Sequence, residues 1–390
     1  MWNNSLAVPR APAPDSVAIR SLTLTDFRNF WSLSVALDVQ TVVLTGPNGA
    51  GKTNFLEAIS LLTPGRGLRR AAFEEIVRTG AAGGWAVAAL IARNGAETRI
   101  GTGLVDGAPG EPRVRKVRVN GAPAASADDL LEYLRVLWLT PAMDGLFTGP
   151  ASERRRFLDR LVLTLDPGHG RRARDFERLL TQRNRLLAEG NDGGWLDALE
   201  AELAACAVAL ALARAETVGL ISTRMSEPAP EAAGFPRGRI AIAGEFDRAI
   251  FGRTAAEAEI WYRDTLRAQR PADRMAGRTL EGPHRSDLEV VFAEKDMPAA
   301  LSSTGEQKAL LVGLILAHAD IIAKISGMTP VLLLDEVAAH LDPVRRAALF
   351  ARVAALGGQA FMTGTDAGLF DRLPGVAAHF CVTDGELVSL

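Results

Sequence analysis

Gly46-Pro47-Asn48-Gly49-Ala50-Gly51-Lys52-Thr53 fits the pattern G-x-x-x-x-G-K-[ST] without a mismatch. The apolar run at 41–45 leads into it, and residues 54–62 follow with Phe55, Leu56, Ile59 and Leu62 at helical spacing. Strand, glycine-rich turn and helix in that order make a phosphate-binding loop. Glycines let successive backbone N–H groups turn toward one anion, and the helix N-terminus adds its partial positive charge. Lys52 then reaches the outer phosphates of a nucleotide, and Thr53 offers its hydroxyl to Mg²⁺.

Such a loop needs an acidic partner strand, which Val331-Leu332-Leu333-Leu334-Asp335-Glu336 supplies. Asp335 ends the strand and is expected to hold the Mg²⁺ shell, because ligands gather outside the carboxyl ends of strands in open α/β sheets. Glu336, one residue on, is placed to orient and deprotonate an attacking water. The plainer alternative is an acid pair capping the helix at 343–356. A third element, Leu301-Ser302-Ser303-Thr304-Gly305-Glu306-Gln307-Lys308, opens a helix upstream of the acidic strand. Read alone, it is a cap, with Ser303 or Thr304 answered by Glu306 or Gln307. With Asp335-Glu336 and His340-Leu341-Asp342 behind it, the order fits the ABC-type ATPase signature. In that signature a serine hydroxyl and a glycine amide, here Ser303 and Gly305, bind a γ phosphate held by another subunit. ATP and Mg²⁺ would then lie sandwiched in a head-to-tail pair related by a two-fold axis.

Strand signals run from 17 to about 45, and short strands return from 85 to 119, broken by Gly-Ala-Pro-Gly and Asn-Gly turns. From about 150 the texture becomes Leu, Ala, Arg and Glu without alternation. Leu196, Leu199, Leu203, Cys206, Leu210, Ala213, Thr217 and Leu220 repeat with 3,4 spacing, a seam facing another helix. Phe176, Leu179, Arg183 and Leu186 form a shorter stripe before a turn at 189–194, so a helical hairpin is expected. Beyond residues 228–236 come a short strand and a polar helix at 254–269. Cys206 on the seam and Cys381 on a closing strand read as core residues. The expected fold is α/β, a P-loop ABC-type ATPase head split by an inserted, mainly α-helical lobe. Its parts are a flexible tail (1–16), the N-terminal part of the head (17–149), the lobe (150–275) and the C-terminal part of the head (276–390).

Composition narrows the class. With 48% hydrophobic residues the chain of 390 can build a large core, and two cysteines exclude a disulfide framework and fit a reducing, cytoplasmic setting. The unbroken apolar runs at 203–213 and 309–317 fall short of the ~20 residues that span a bilayer. A net charge of −2 argues against nucleic acid at first sight. Only five of the 44 basic residues are lysines, however, and between Arg154 and Arg185 ten arginines face four acids. That run is either a solvated helix face or a local basic surface.

Taken together, these residues resemble the RecF family of bacterial DNA replication and repair proteins, ABC-type ATPases related to the heads of Rad50 and SMC proteins. Besides the loop and the signature, the likeness is carried by Leu24-Thr25-Asp26-Phe27-Arg28-Asn29-Phe30 and Thr140-Pro141-Ala142-Met143-Asp144. Arg154-Arg155-Arg156-Phe157-Leu158-Asp159 and Gly282-Pro283-His284-Arg285-Ser286-Asp287 complete it. The resemblance implies ATP-dependent DNA binding at gaps and single/double-strand junctions, a weak DNA-stimulated ATPase and an ATP-clamped homodimer. It also implies RecR as partner, RecO and RecA in the same pathway, and a part in the SOS response. Glu306 stands where a glutamine is usual, and Gly67 where a serine is common. Thr363 takes the strand end where transporter ATPases carry a histidine, and is a candidate polar sensor. Arg154, Arg155 and Arg156 are candidates either for DNA contact or for pairing with acids at the lobe boundary. Rad50 and SMC proteins insert long coiled-coil arms, whereas roughly 120 inserted residues at about 1.5 Å each can form only a compact lobe. A transporter motor subunit is disfavoured by the long separation of Thr53 from Leu301, and a non-hydrolysing ATP-binding scaffold by the presence of Glu336.

Overall fold

Val42 and Leu44 send their side chains into one core and Val43 into another, because the strand carrying them is covered on both faces. The computed structural model describes residues 16–107, 111–190, 193–227 and 234–390. The expected tail up to residue 15, residues 108–110 and 191–192 of two expected turns, and residues 228–233 lie outside the described residues.

In chain order the head opens with β1 (Val17–Phe27), β2 (Phe30–Ala36), β3 (Thr41–Thr45) and α1 (Lys52–Ser60). There follow β4 (Ala86–Arg93), β5 (Ala96–Val105), β6 (Val114–Val119), β7 (Ala122–Pro123) and β8 (Val136–Leu139). The middle of the chain holds α2 (Ala151–Leu165), α3 (His169–Ala188), α4 (Gly194–Ser226), β9 (Gly238–Ala243), α5 (Glu245–Ile250) and α6 (Ala255–Ala276). It closes with β10 (Asp287–Phe292), β11 (Met297–Pro298), α7 (Thr304–Ser326), β12 (Val331–Leu334), α8 (Pro343–Leu356), β13 (Ala360–Thr363), β14 (Ala377–Thr383) and β15 (Glu386–Ser389).

One six-stranded sheet is antiparallel, in the order β2-β1-β4-β5-β6-β7. The other runs β15-β14-β3-β13-β12-β8, parallel from β14 to β8 with β15 antiparallel at the edge. Helix α1 packs Phe55, Leu56 and Ile59 into the core shared by the two sheets. The far face of the parallel sheet is covered by α2, α7 and α8 through Phe157, Leu310 and Phe350. Burial on both faces explains why β12 reads as an unbroken Val-Leu-Leu-Leu run instead of an alternating one. Strand β13 separates β3 from β12, so the phosphate loop, Thr363 and Asp335 emerge side by side at the strands' carboxyl ends.

The inserted lobe has its own core, formed by Phe176 and Leu179 of α3, Leu196 to Ala211 of α4, Phe246 of α5 and Tyr262 and Leu266 of α6. It differs from the expected hairpin, since α6 packs along α4 as a third long helix. That helix continues past Pro271 to Ala276, where Arg270 and Asp273 anchor it in buried ion pairs. Head and lobe interlock across the expected limits of 150 and 275. Helix α2 buries Phe157, Leu158 and Leu161 in the head, the end of α4 adds Val218 and Ile221 there, and β9 pairs with β10. An apolar seam shows that a helix packs, not which body it packs against.

Helices α4 and α7 are long and apolar enough to pass for membrane spans by length and composition, which unbroken apolar runs did not register. Burial accounts for α7, which is apolar on nearly every side because core surrounds it. Helix α4 spends its two ends on two different cores.

Candidate functional site

The loop from β3 to α1 takes its shape from its glycines. Gly46 at φ 135° lies against β14, where an added Cβ would stand 2.4 Å from the Val382 carbonyl oxygen. Gly51, at φ 116°, leaves room for Asn29, whose Nδ2 would sit 2.5 Å from a Cβ there. Asn29 Nδ2 donates to the Ala50 carbonyl at 2.9 Å, and Asn54 Nδ2 donates to Asn29 Oδ1 at 2.7 Å, so the turn after β1 braces the loop. Lys52 is 4% exposed, and its Nζ donates to the Gly46 and Pro47 carbonyls at 2.7 and 3.0 Å. The ammonium is thus already held over the loop.

Thr53 and Asp335 meet as the sequence predicts, with Thr53 Oγ1 donating to the two carboxylate oxygens at 3.1 and 2.9 Å. Thr363 Oγ1 donates to Asp335 Oδ1 at 2.7 Å and accepts the Glu336 N–H at 2.9 Å. Thr363 is therefore a bracket that fixes both acids, where the sequence suggested a sensor. Glu336 sits at φ 54°, a backbone conformation uncommon outside glycine and one that clusters at functional sites. Burial pushes the Asp335 carboxyl above its ordinary range against the hydrogen bonds from Thr363 and Thr53, and the neighbouring Glu336 charge adds to the push. One hydroxyl beside one buried carboxylate fits Mg²⁺, which takes few protein ligands and completes its shell with phosphate and water. The helix-capping alternative for the acid pair does not hold, because Asp342 caps α8 by accepting from Val344 and Arg345 N–H.

A cavity of ≈ 220 Å³ opens on this loop, lined by Asn48, Gly49, Lys52, Thr53, Arg69 and Glu336 among others. Arg69 was not singled out by sequence, nor was its partner Glu57. Glu57 is fully buried on α1 and takes two bonds from Arg28, at 2.9 and 2.8 Å, and one from Arg69 at 3.3 Å. A lone acid on an otherwise apolar helix face was the available signal. The loop containing Gly65 and Gly67 also borders a second cleft of ≈ 1090 Å³ between the head and α2 and α3, which Thr53 and Asp335 share. There Arg160 stacks 3.9 Å over Trp138, and burial together with Arg70 brings its guanidinium down to about 9.

Ser303 caps α7, and Glu306 closes the capping box. Glu306 Oε2 accepts from Ser303 N–H at 3.0 Å and from Ser303 Oγ at 2.9 Å. Lys295 pairs with the other oxygen and, with Ser303, holds Glu306 down at about 2. Ser303 and Gly305 are exposed, and neither lines the cavity on the phosphate loop of their own chain. The arginine triplet is largely structural. Arg154 forms a fork on Asp287 at 2.7 Å, and Arg155 donates to the Ser286 carbonyl at 2.7 Å, so the two family-like segments hold each other. Arg156 pairs with Glu153 at 2.6 Å on the surface.

A parallel sheet with an extra strand between loop and acid, and a serine-glycine helix start facing outward, defines an ABC-type ATPase head. The family model for the RecF/RecN/SMC N terminal domain matches residues 18–384. DNA replication and repair protein RecF of Rhizobium etli strain CIAT 652 is 54% identical over 375 residues, 96% of this chain and 99% of that protein. RecF of Brucella suis biovar 1 is 55% identical over 379 residues, 97% of each chain. The chain belongs to the RecF family of DNA replication and repair proteins. Among solved structures, the recombination mediator protein RecF-ATPrS in the RecFOR pathway superposes with TM-score 0.84 at 22% identity, covering 97% of this chain and 99% of that one. The Smc head domain of Pyrococcus furiosus follows at TM-score 0.54 and 18% identity, covering 96% of each.

Proposed function

We propose that the chain is an ATP-dependent DNA-binding protein whose two copies clamp DNA at gaps or single/double-strand junctions while ATP is held between them. The observation that carries this reading is the split site. Phosphate loop and Glu336 share one cavity, with Asp335 hydrogen-bonded to Thr53 at its edge, whereas Ser303 and Gly305 are exposed and lie outside its lining, flanked by exposed Leu301 (72%) and, through the contact of Arg345 with the Gly305 carbonyl, by Val344 (74%). At ≈ 220 Å³ the cavity is smaller than the ~300–1,000 Å³ usual for a small-molecule pocket, as a half-site should be. Exposed apolar side chains beside a polar helix start suit burial against a second copy.

In this mechanism Lys52 and the loop amides bind and orient the phosphates, Thr53 and Asp335 hold Mg²⁺, and Asn29 keeps the loop in shape. Mg²⁺ bound there would neutralise the charge that builds on the phosphates. Glu336, fixed through Thr363, orients the attacking water and takes its proton. Ser303 and Gly305 of the second copy contact the γ phosphate, so its departure loosens the dimer. Slow, DNA-stimulated turnover would reset a clamp that supports RecA loading together with RecR and RecO, and with it the SOS response, in the cytoplasm.

Sedimentation with and without ATP, Mg²⁺ and gapped DNA tests this. Lys52→Ala should stay monomeric, Glu336→Gln should accumulate as an ATP dimer, and Ser303→Arg should bind nucleotide yet fail to dimerise. A Ser303→Arg protein that dimerises like the wild type would remove the trans arrangement.

A further inference from the structure

Glu306 puts a carboxylate where an incoming phosphate would dock. Its Oε2 already occupies both the N–H and the hydroxyl of Ser303, at 3.0 and 2.9 Å, and lies in the first turn of α7 with Gly305 beside it. A bare carboxylate one hydrogen bond from the signature serine repels a phosphate and competes for the same donors. Lys295 answers that charge. It comes from the turn after β10, places Nζ 2.5 Å from Glu306 Oε1, and keeps its own side chain 52% exposed while Glu306 is 18% exposed.

We propose that Lys295 is a positioning residue of the trans phosphate site, balancing Glu306 so that the Ser303 hydroxyl and Gly305 N–H can receive the partner copy's γ phosphate. This rests on the trans-signature reading above. Glu306 keeps two anchors, Lys295 through Oε1 and the Ser303 N–H through Oε2, and Ser303 Oγ can go on accepting the Glu306 N–H while its proton turns from the carboxylate to the phosphate, so the helix cap survives. The ammonium then stays paired with the carboxylate as the local counter-charge. A glutamate in the signature is tolerated on this account because a lysine outside the motif pairs with it.

The test is sedimentation of the full chain with ATP and Mg²⁺ at low and high salt, comparing wild type with Lys295→Ala, Lys295→Arg, Glu306→Gln and the Lys295→Ala/Glu306→Gln pair. Lys295→Ala should weaken the dimer about tenfold or more at low salt, with a smaller deficit at high salt where the charge is screened. Lys295→Arg and Glu306→Gln should dimerise at least nearly as well as wild type, and adding Glu306→Gln should rescue Lys295→Ala. If the ion pair were only a structural tie, Glu306→Gln would fail as Lys295→Ala does, and that result overturns the proposal. So does a Lys295→Ala protein that dimerises normally. Failure of the wild type to dimerise, or dimerisation of Ser303→Arg, is a separate outcome that removes the trans-signature reading and this proposal with it.

Discussion

Asp335 is the residue at which stability and chemistry oppose each other. Its carboxylate is 4% exposed beside a second acid, and burial lifts its pKa above the ordinary value. A raised carboxyl pKa means that the folded state holds the proton more tightly than the unfolded one. The associated stability is fully present below the unfolded value and is lost as pH rises through the folded value, so at neutral pH the bare charge weighs against folding until a cation meets it. Asp335→Asn should therefore melt at a higher temperature than wild type without nucleotide at pH 7, gain less from Mg²⁺ with ATP, and hydrolyse none. Scanning calorimetry with and without Mg²⁺ and ATP checks the first two, and a variant that melts lower without nucleotide counts against a strained charge. The acid pair and Thr53 were legible in the sequence because their motifs name the atoms that meet. Thr363 was legible as a polar strand end but not as a tie to both acids, and Asn29 and Glu57 only as members of motifs or not at all, since their partners come from other segments of the chain.

Among the helices, Arg183 shows where periodicity misleads. It continues the apolar stripe of α3 by spacing, and it is indeed fully buried, but as the centre of an ion network. It donates to Glu200 at 2.9 Å, Asp273 at 2.6 Å, Thr279 Oγ1 at 2.7 Å and the Leu266 carbonyl at 2.7 Å, which ties α3 to α4 and α6. Removing one member leaves buried charges without balance, and Arg183→Ala should destabilise the lobe by about 3–5 kcal/mol, read in urea as an early unfolding transition. A single transition at the wild-type midpoint would show that the network contributes little. Helix α7 meets α2 through His318, fully buried, with Nε2 2.8 Å from Thr164 Oγ1 and 3.0 Å from the Leu161 carbonyl. Burial, with Arg160 nearby, lowers its pKa to about 3 from the ordinary 6.5. A depressed histidine gives stability that is full above 6.5 and lost as pH falls toward 3, because the unfolded chain takes up the proton first. His318→Gln should flatten the fall of the urea midpoint between pH 6.5 and 4. Asp159, whose burial is outweighed by His169 and Arg214 so that its carboxyl comes down to about 2, gives stability that is full above its ordinary 3.8 and is lost only as pH falls from there toward 2, so most of its loss lies below that of the histidine.

At the scale of the whole molecule, the arginine excess between 154 and 185 divides into two groups. Arg154, Arg155 and Arg183 serve the interior, whereas Arg174, Arg178 and Arg185 on α3 keep 63%, 58% and 80% of their side chains exposed. Each exposed one has an acid near it, so one copy presents a modest field, and two copies brought together present a larger one. Charge counting along the chain did not separate these groups, because a helix carries buried and solvated arginines at neighbouring positions. The split of the head by a lobe was readable from texture, while the sharing of α4 between two cores was not. If DNA grips only the closed pair, ATP and DNA must favour each other by one and the same factor, since both draw on a single equilibrium between separate and closed copies. Anisotropy of a gapped probe should then show ATP with Mg²⁺ tightening DNA binding, and sedimentation should show saturating gapped DNA lowering the ATP concentration for half-maximal dimerisation by about the square root of that ratio, because two ATP molecules close one pair. Both ratios should be measured in the Glu336→Gln protein, where hydrolysis does not disturb the balance. Raising salt should weaken DNA binding in both nucleotide states, with the steeper loss for the ATP form, which brings two basic surfaces to one duplex. Equal slopes, or a DNA effect on dimerisation that departs from this square-root relation, would mean that each copy binds DNA on its own and that closure serves another end.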